Sequence, residues 1–335
     1  MDNHAFRLAS RPVGLPERSN WDYVEEQVGD PGDGEVVVRV LYLSLDPAMR
    51  GWISDRPSYI PPVGIGEVMR ALGVGEVVAS NDSKLSVGDH VSGVLGVQRY
   101  AVVPGAGLMK IDSGAAPLTT WLGALGMPGM TAYFGLLDIG RPEPGQTVVV
   151  SGAAGAVGHL VGQIARIKGA RAVGIAGGPD KCGVVLEEYS FDATIDYKAE
   201  NVDAALRRHC PDGIDVYFDN VGGAILDSAL AQLARHARVV ICGAISQYNE
   251  TGEIAGPVNY LSLLVNHASM TGFVVTDYAS QWPSAGADMG QWLAEGKLVT
   301  REHVVDRLET FPDRLLMLFS GENTAKLVLA VNGGA

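Results

Sequence analysis

The chain has 335 residues, 47% of them hydrophobic and 19% charged, and its 38 acidic and 25 basic side chains leave a net charge of −13. That acidity argues against nucleic acid and anionic membrane surfaces as partners, because both need clustered positive charge. No apolar run reaches the roughly 18 residues of a membrane helix, and the length allows two globular domains. Cys182, Cys210 and Cys242 are too few and too scattered for a disulfide framework. The opening "MDNHAFRLAS" lacks the basic-then-apolar pattern of a secretory leader. A reducing, cytoplasmic setting is expected.

Residues 1–120 read as β-rich. "EVVVRVLYLSL" (35–45), "GEVVAS" (75–80) and "GDHVSGVLGVQRYAVV" (88–103) are strand-like runs punctuated by Gly, Pro and Asp. Such spacing, without long helical patterns between, suggests a barrel or compact sandwich.

From residue 121 the texture changes. "TVVVSG" (147–152) is a buried-type strand, and 156–168 follows at helical spacing. Strands at 171–178, 193–197, 214–223 and 238–245 then alternate with helices at 179–191, near 202–209 and near 225–234. A further strand is expected near 270–275 and a helix near 287–298. That alternation predicts an α/β fold with a doubly wound parallel sheet over 121–299. "AKLVLAV" (325–331) returns to strand character and fits an edge or closing strand of the first domain, so 300–335 would complete residues 1–120.

Between the first strand and helix of the alternating region lies "SGAAGAVGHLVGQIARIKG" (151–169), with Gly152, Gly155 and Gly158. Glycines there make a tight turn, allow close approach of a pyrophosphate, and let helix and strand pack closely. The helix N-terminus adds free N–H groups and a positive dipole end. The spacing G-x-x-G-x-x-G half-matches the dinucleotide fingerprint and also fits an ordinary turn; its place between a buried strand and a helix favours a nucleotide. The next strand ends "GIAGGPDK", with Ala176 and Gly177 where an NAD-binding domain places a carboxylate for the ribose. Lys181 nearby can meet a 2′-phosphate, or can be a solvated first-turn residue; NADP(H) is the favoured cofactor. Tyr197, Asn220 in "DNVGG" and Gly243 to Tyr248 in "CGAISQY" fall at the carboxyl ends of later strands, facing the same crevice. "DNVGG" fits a turn equally well.

His4, His90, His159, His209, His236, His267 and His303 show no metal-ligand spacing, and no metal is expected. Neither a G-x-S-x-G elbow nor a Walker-type G-K-[ST] is present.

With these residues assembled, the chain resembles the medium-chain dehydrogenase/reductase superfamily over almost its whole length. Within it the likeness is to the zinc-independent leukotriene B4 dehydrogenase/prostaglandin reductase group, which includes plant alkenal double-bond reductases and bacterial curcumin reductases. "LSLDPAMRGW", "GIGEVMRALGVGEVVAS", "GMPGMTAYFGLLDIG", "GAAGAVG", "GIDVYFDNVGG", "CGAISQYN" and "GFVV" carry it. The resemblance implies a GroES-like β-rich domain built from both chain ends around a Rossmann domain, and a homodimer. It implies NADPH contacts from Gly155, Ala156, Val157 and Gly158, with Lys181 on the 2′-phosphate. Further contacts follow for Tyr197, Asn220, Cys242, Gly243, Ala244, Ile245, Ser246, Gln247, Tyr248, Phe273, Val274, Val275 and Asn323. Ala48 stands where the family commonly has Tyr bordering the substrate pocket, so the pocket is expected to be wider or differently polar. Gly152 replaces a customary Ala. Tyr59 can face the pocket or serve packing.

The expected chemistry is reduction of the double bond of an α,β-unsaturated ketone or aldehyde. An oxyanion forms on the carbonyl oxygen, and donors aimed at developing charge usually supply the largest catalytic contribution. The Tyr248 hydroxyl, neutral at pH 7, is the candidate donor. Three other readings stay open: a quinone reductase on the same fold, oxidation of an allylic alcohol, and an NADP(H)-binding protein with a structural or regulatory role.

Overall fold

The computed structural model describes residues 1–332. They form two compact units, Met1–Gly123 with the described residues from Glu302 on, and Ala124–Arg301.

The first unit opens with β1 (Asp2–Leu8) and β2 (Trp21–Gln27), an antiparallel pair whose polar outer residues hid it from a hydrophobic reading. β3 (Glu35–Ser44), α1 (Ala48–Trp52), β4 (Leu72–Ser80), β5 (His90–Val94), β6 (Tyr100–Pro104) and β7 (Met109–Lys110) follow. The run 88–103 is therefore two strands rather than one. Gly96 turns the chain between them at φ +73°, so β5 pairs with β4 while β6 crosses to β3.

In the second unit α2 (Met127–Phe134) precedes β8 (Thr147–Ser151) and α3 (Gly158–Ile167). Next come β9 (Arg171–Ala176), α4 (Pro179–Glu187), β10 (Ala193–Asp196), α5 (Val202–His209) and β11 (Ile214–Asp219). α6 (Gly223–Leu230), β12 (Leu233–Ile241), α7 (Ser262–Val265), β13 (Ser269–Gly272) and α8 (Trp282–Ala294) complete it. The strands form one parallel sheet in the order β10-β9-β8-β11-β12-β13, the doubly wound Rossmann arrangement. Val148 and Val150 join one core with Val216 and Phe218, while Val149 joins the opposite core with Val173 and Tyr217. Burial on both faces is why these strands read as unbroken apolar runs.

Two boundaries differ from expectation. The helix near 225–234 stops at Leu230 because Leu233 already pairs with Ile214 in β12. The ladder then breaks before Val216 meets Arg238, and His236, at φ +63°, carries the polar residues out of register. The chain re-enters the first unit as β14 (Glu302–Asp306), α9 (Phe311–Ser320) and β15 (Lys326–Ala330). β15 is no edge strand: it lies between β14 and β3 in the order β14-β15-β3-β4-β5-β7. All of it is buried, Lys326 included, whose Nζ reaches Asp46 Oδ1 at 2.6 Å and the Leu45 carbonyl oxygen at 2.9 Å. No described helix is long and apolar enough to cross a membrane.

Candidate cofactor site

Strand order reverses between β8 and β11, and in open parallel sheets ligands bind at the carboxyl ends beside such a point. Ser151, the last residue of β8, and Asp219, the last of β11, meet there, with Ser151 Oγ donating to Asp219 Oδ1 at 2.8 Å. Asp219 is 1% exposed, and its carboxylate also accepts from Tyr217 Oη, the Val221 N–H and the Gly222 N–H. Those donors offset the cost of burying a carboxylate. The "DNVGG" turn is thus wound about a buried side chain, with Asn220 held at its outer edge.

The loop after β8 turns at Gly152, φ +61°. α3 begins so close to it that a Cβ on Gly158 would lie 2.3 Å from the Gly152 carbonyl oxygen. Glycine is therefore required at Gly158, while at Gly152 it relieves the strain of a left-handed conformation. Among the described residues the N–H groups of Ala156 and Val157 make no hydrogen bond. They stand beside the N-terminus of a ten-residue helix, where an anion is favoured.

At the next corner β9 ends in Ala176 without a carboxylate, as the sequence showed. The Tyr197 ring covers Gly177 so closely that a Cβ there would come within 2.7 Å of it. Lys181 lies in the first turn of α4 and is half-buried. Burial and the nearby charge of Lys198 both push its ammonium below the usual lysine range. Asp196 at the same corner is occupied by the N–H groups of Gly178 and Lys198, and the first of these chiefly holds its carboxyl below the ordinary range. Two gathered ammonium groups suit a multiply charged anion.

The loop after β12 folds onto the "DNVGG" turn. The N–H groups of Cys242 and Gly243 donate to the Asp219 carbonyl oxygen, that of Ile245 to Asn220, and that of Ser246 to Val221. Burial pushes the Cys242 thiol up to about 12, with Asp219 adding to it, so it is no nucleophile. Tyr248 turns back over its own loop: its Oη accepts the Ala244 N–H at 3.2 Å and would lie 2.9 Å from a Cβ on Gly243. Beyond β13, the Phe273 ring packs against Gly135 and Phe218, and Val275 is buried.

The second unit therefore gathers Gly155–Gly158, Asn220, Cys242–Tyr248 and Phe273–Val275 at the carboxyl ends of its strands, with Lys181 and Tyr197 at the β9–β10 corner. Ala48, Tyr59 and Asn323 belong to the first unit. Ala48 opens α1 and packs on the core, Tyr59 is 65% exposed, and Asn323 Nδ2 donates to the Ala325 carbonyl oxygen at 3.2 Å. Ser151, Asp219 and Lys198 were not singled out from the sequence. Each directly adjoins a residue that was, which is the signal that could have found them. Among the described residues no three His, Cys, Asp or Glu side chains come together as a metal site would need.

Two family models match the chain: the N-terminal domain of oxidoreductase over residues 4–111 and zinc-binding dehydrogenase over residues 156–291. The NADPH-dependent curcumin reductase of Escherichia coli is 43% identical over 336 residues, covering 99% of this chain and 97% of that protein. The NADP(+)-dependent 2-alkenal reductase of Nicotiana tabacum is 41% identical over 338 residues, covering 99% and 98%. The crystal structure of CurA from Vibrio vulnificus in complex with NADPH superimposes with a TM-score of 0.94 at 44% identity, covering 99% of this chain and 100% of that one.

Proposed function

This chain belongs to the medium-chain dehydrogenase/reductase family, in the group of curcumin and alkenal reductases, and from that premise we propose that it uses NADPH to reduce the carbon–carbon double bond of α,β-unsaturated ketones and aldehydes. The observation that carries the cofactor choice is the β9–β10 corner, where Ala176 and Gly177 leave the ribose 2′ position free of carboxylate and Lys181 stands beside Lys198.

The glycine cradle fits a dinucleotide, since a Cβ at Gly158 would fill the space left for the turn. In this reading the turn Gly155 to Gly158 holds the pyrophosphate, through the N–H groups of Ala156 and Val157 rather than that of Gly155, which donates to the Gly152 carbonyl oxygen at 2.9 Å. Lys181, Lys198 and Tyr197 bind the 2′-phosphate. Asn220, Cys242 to Gln247 and Phe273 to Val275 orient the nicotinamide half. Cofactor contact by Asn323, and substrate contact by Ala48 and Tyr59, are also parts of the proposal. When bound, NADPH supplies a hydride to the β-carbon of the enone. The Tyr248 hydroxyl donates a hydrogen bond to the carbonyl oxygen, stabilising the enolate charge that develops there while keeping its proton. The Ala244 N–H already donates to the same Oη, which strengthens the hydroxyl as a donor. Solvent or a tyrosine then protonates the α-carbon.

The same proposal includes a homodimer in a reducing, cytoplasmic setting. Edge strand β13 has every residue exposed, and Val258, Leu264 and Val265 in the segment before it are 79%, 75% and 72% exposed. An edge with open peptide groups and apolar flanks suits pairing with the same edge of a second copy about a twofold axis. The three cysteines are free thiols.

The test follows NADPH and NADH consumption against enones, enals, quinones and saturated aldehydes, with product identification. Preferential use of NADPH, with the double bond reduced and the carbonyl intact, is expected. Turnover of quinones alone would move the chain to the quinone reductases, and NADPH binding without turnover of any acceptor would leave a binding protein.

A further inference from the structure

His159 lies in the first turn of α3, immediately after the last glycine of the turn, and is fully buried. Its Nδ1 is 2.7 Å from the Gly155 carbonyl oxygen. A carbonyl oxygen can only accept, so the ring carries its proton on Nδ1 and donates. The backbone N–H of His159 reaches the same oxygen at 3.2 Å. The ring packs on Tyr189 with centroids 4.8 Å apart, and Nε2 is buried without a hydrogen-bond partner among the described residues. An unpaired buried acceptor is costly, and a small or apolar residue would avoid it. The arrangement therefore points to a use for the Nδ1–H.

The chain contains no cis peptide bond among the described residues, so the Gly155 C=O and the Ala156 N–H point in opposite directions across one rigid plane. Anchoring the carbonyl inward to the imidazole turns the Ala156 N–H away from it. Among the described residues that N–H makes no hydrogen bond within the protein, whereas the Gly155 N–H before it donates to the Gly152 carbonyl oxygen. The geometry points to His159 as a positioning residue for the phosphate-binding turn, its Nδ1–H fixing the Gly155–Ala156 peptide so that the Ala156 N–H meets the cofactor's pyrophosphate. This rests on the NADPH reading above. His159 touches no reacting atom, so its effect falls on nucleotide affinity rather than on the chemical step.

The experiment measures NADPH dissociation constants by nucleotide fluorescence for the full chain and three variants, alongside thermal unfolding without nucleotide. His159→Asn keeps an N–H donor near the Nδ1 position, His159→Gln moves it toward Nε2, and His159→Leu removes it while keeping bulk. His159→Leu and His159→Gln are expected to bind NADPH about tenfold more weakly, the worth of one hydrogen bond. His159→Asn should stay within about threefold of the parent, with kcat at saturating NADPH unchanged in all. Equal affinity for the Asn and Gln variants, whether retained or lost, would overturn the inference and leave His159 as filling alone. That comparison holds even where the Leu variant does not fold. If the parent protein itself does not bind NADPH, the cofactor reading fails and this one with it; parent binding with indifferent variants sinks only the inference.

Discussion

Asn220 is bonded to Ser151 twice: its backbone N–H donates to Ser151 Oγ at 2.9 Å and its side-chain Nδ2 to the Ser151 carbonyl oxygen at 2.7 Å. The ends of the two central strands are thereby laced together where the sheet order reverses. Ser151 Oγ passes the connection on to Asp219, so the crevice floor depends on one buried carboxylate. Asp219→Ala leaves Ser151 Oγ, Tyr217 Oη and the Val221 and Gly222 N–H groups without their acceptor. Urea unfolding should show a loss of about 2–3 kcal/mol, and NADPH affinity should fall with it. A loss below about 0.5 kcal/mol would mean that the turn is held by its backbone bonds alone.

Lys181→Ala removes one ammonium group from the β9–β10 corner. The KM for NADPH should rise roughly ten- to a hundredfold while that for NADH stays near its parent value. Lys198→Ala, at a more exposed position, should act in the same direction and less strongly. Parallel changes for both nucleotides would place the phosphate elsewhere.

Tyr248→Phe removes the proposed oxyanion donor and the acceptor of the Ala244 N–H. kcat should fall roughly ten- to a thousandfold, against a change in NADPH affinity below about threefold. Unchanged turnover would take Tyr248 out of the chemistry.

Burial pushes the His159 imidazole down to about 4, against the opposing pull of the Gly155 carbonyl. The unfolded chain takes up this proton near pH 6.5, whereas the folded chain resists it until about pH 4. The stability tied to the neutral ring is therefore fully present above pH 6.5 and is lost as pH falls toward 4, by ~3 kcal/mol in total. Denaturant midpoints across that window should fall more steeply for the parent than for His159→Asn, whose side chain does not titrate. Parallel slopes would show that the ring is hydrated.

Leu264→Asp and Val265→Asp place charges at exposed positions before β13, so each should fold as the parent does. Sedimentation should show the parent as a dimer and the double variant as a monomer. A dimeric double variant would put the interface on another surface.

What the sequence legibly carries is local. The alternation of strand and helix over the second unit follows from side-chain periodicity, and the glycine turn from the left-handed conformation at Gly152 and the close approach of helix and turn at Gly158. The missing carboxylate at Ala176 and Gly177 is visible as composition at one place. Strands β1 (DNHAFRL) and β14 (EHVVD) show neither an unbroken apolar run nor a clean alternation, and it is pairing with β2 and β15 that makes them strands.

The remainder was decided by tertiary contact, because a hydrogen bond is set by distance in space and leaves no mark on spacing along the chain. Ser151 and Asp219 are 68 residues apart, and Asp46 and Lys326 are 280 apart. Nothing near Lys326 announces that a lysine in an apolar strand is fully buried with its charge paired, nor that this strand lies inside its sheet. His159 makes the same point over a shorter range: its position in the helix was readable, but the side on which its proton sits follows only from where the Gly155 carbonyl oxygen points.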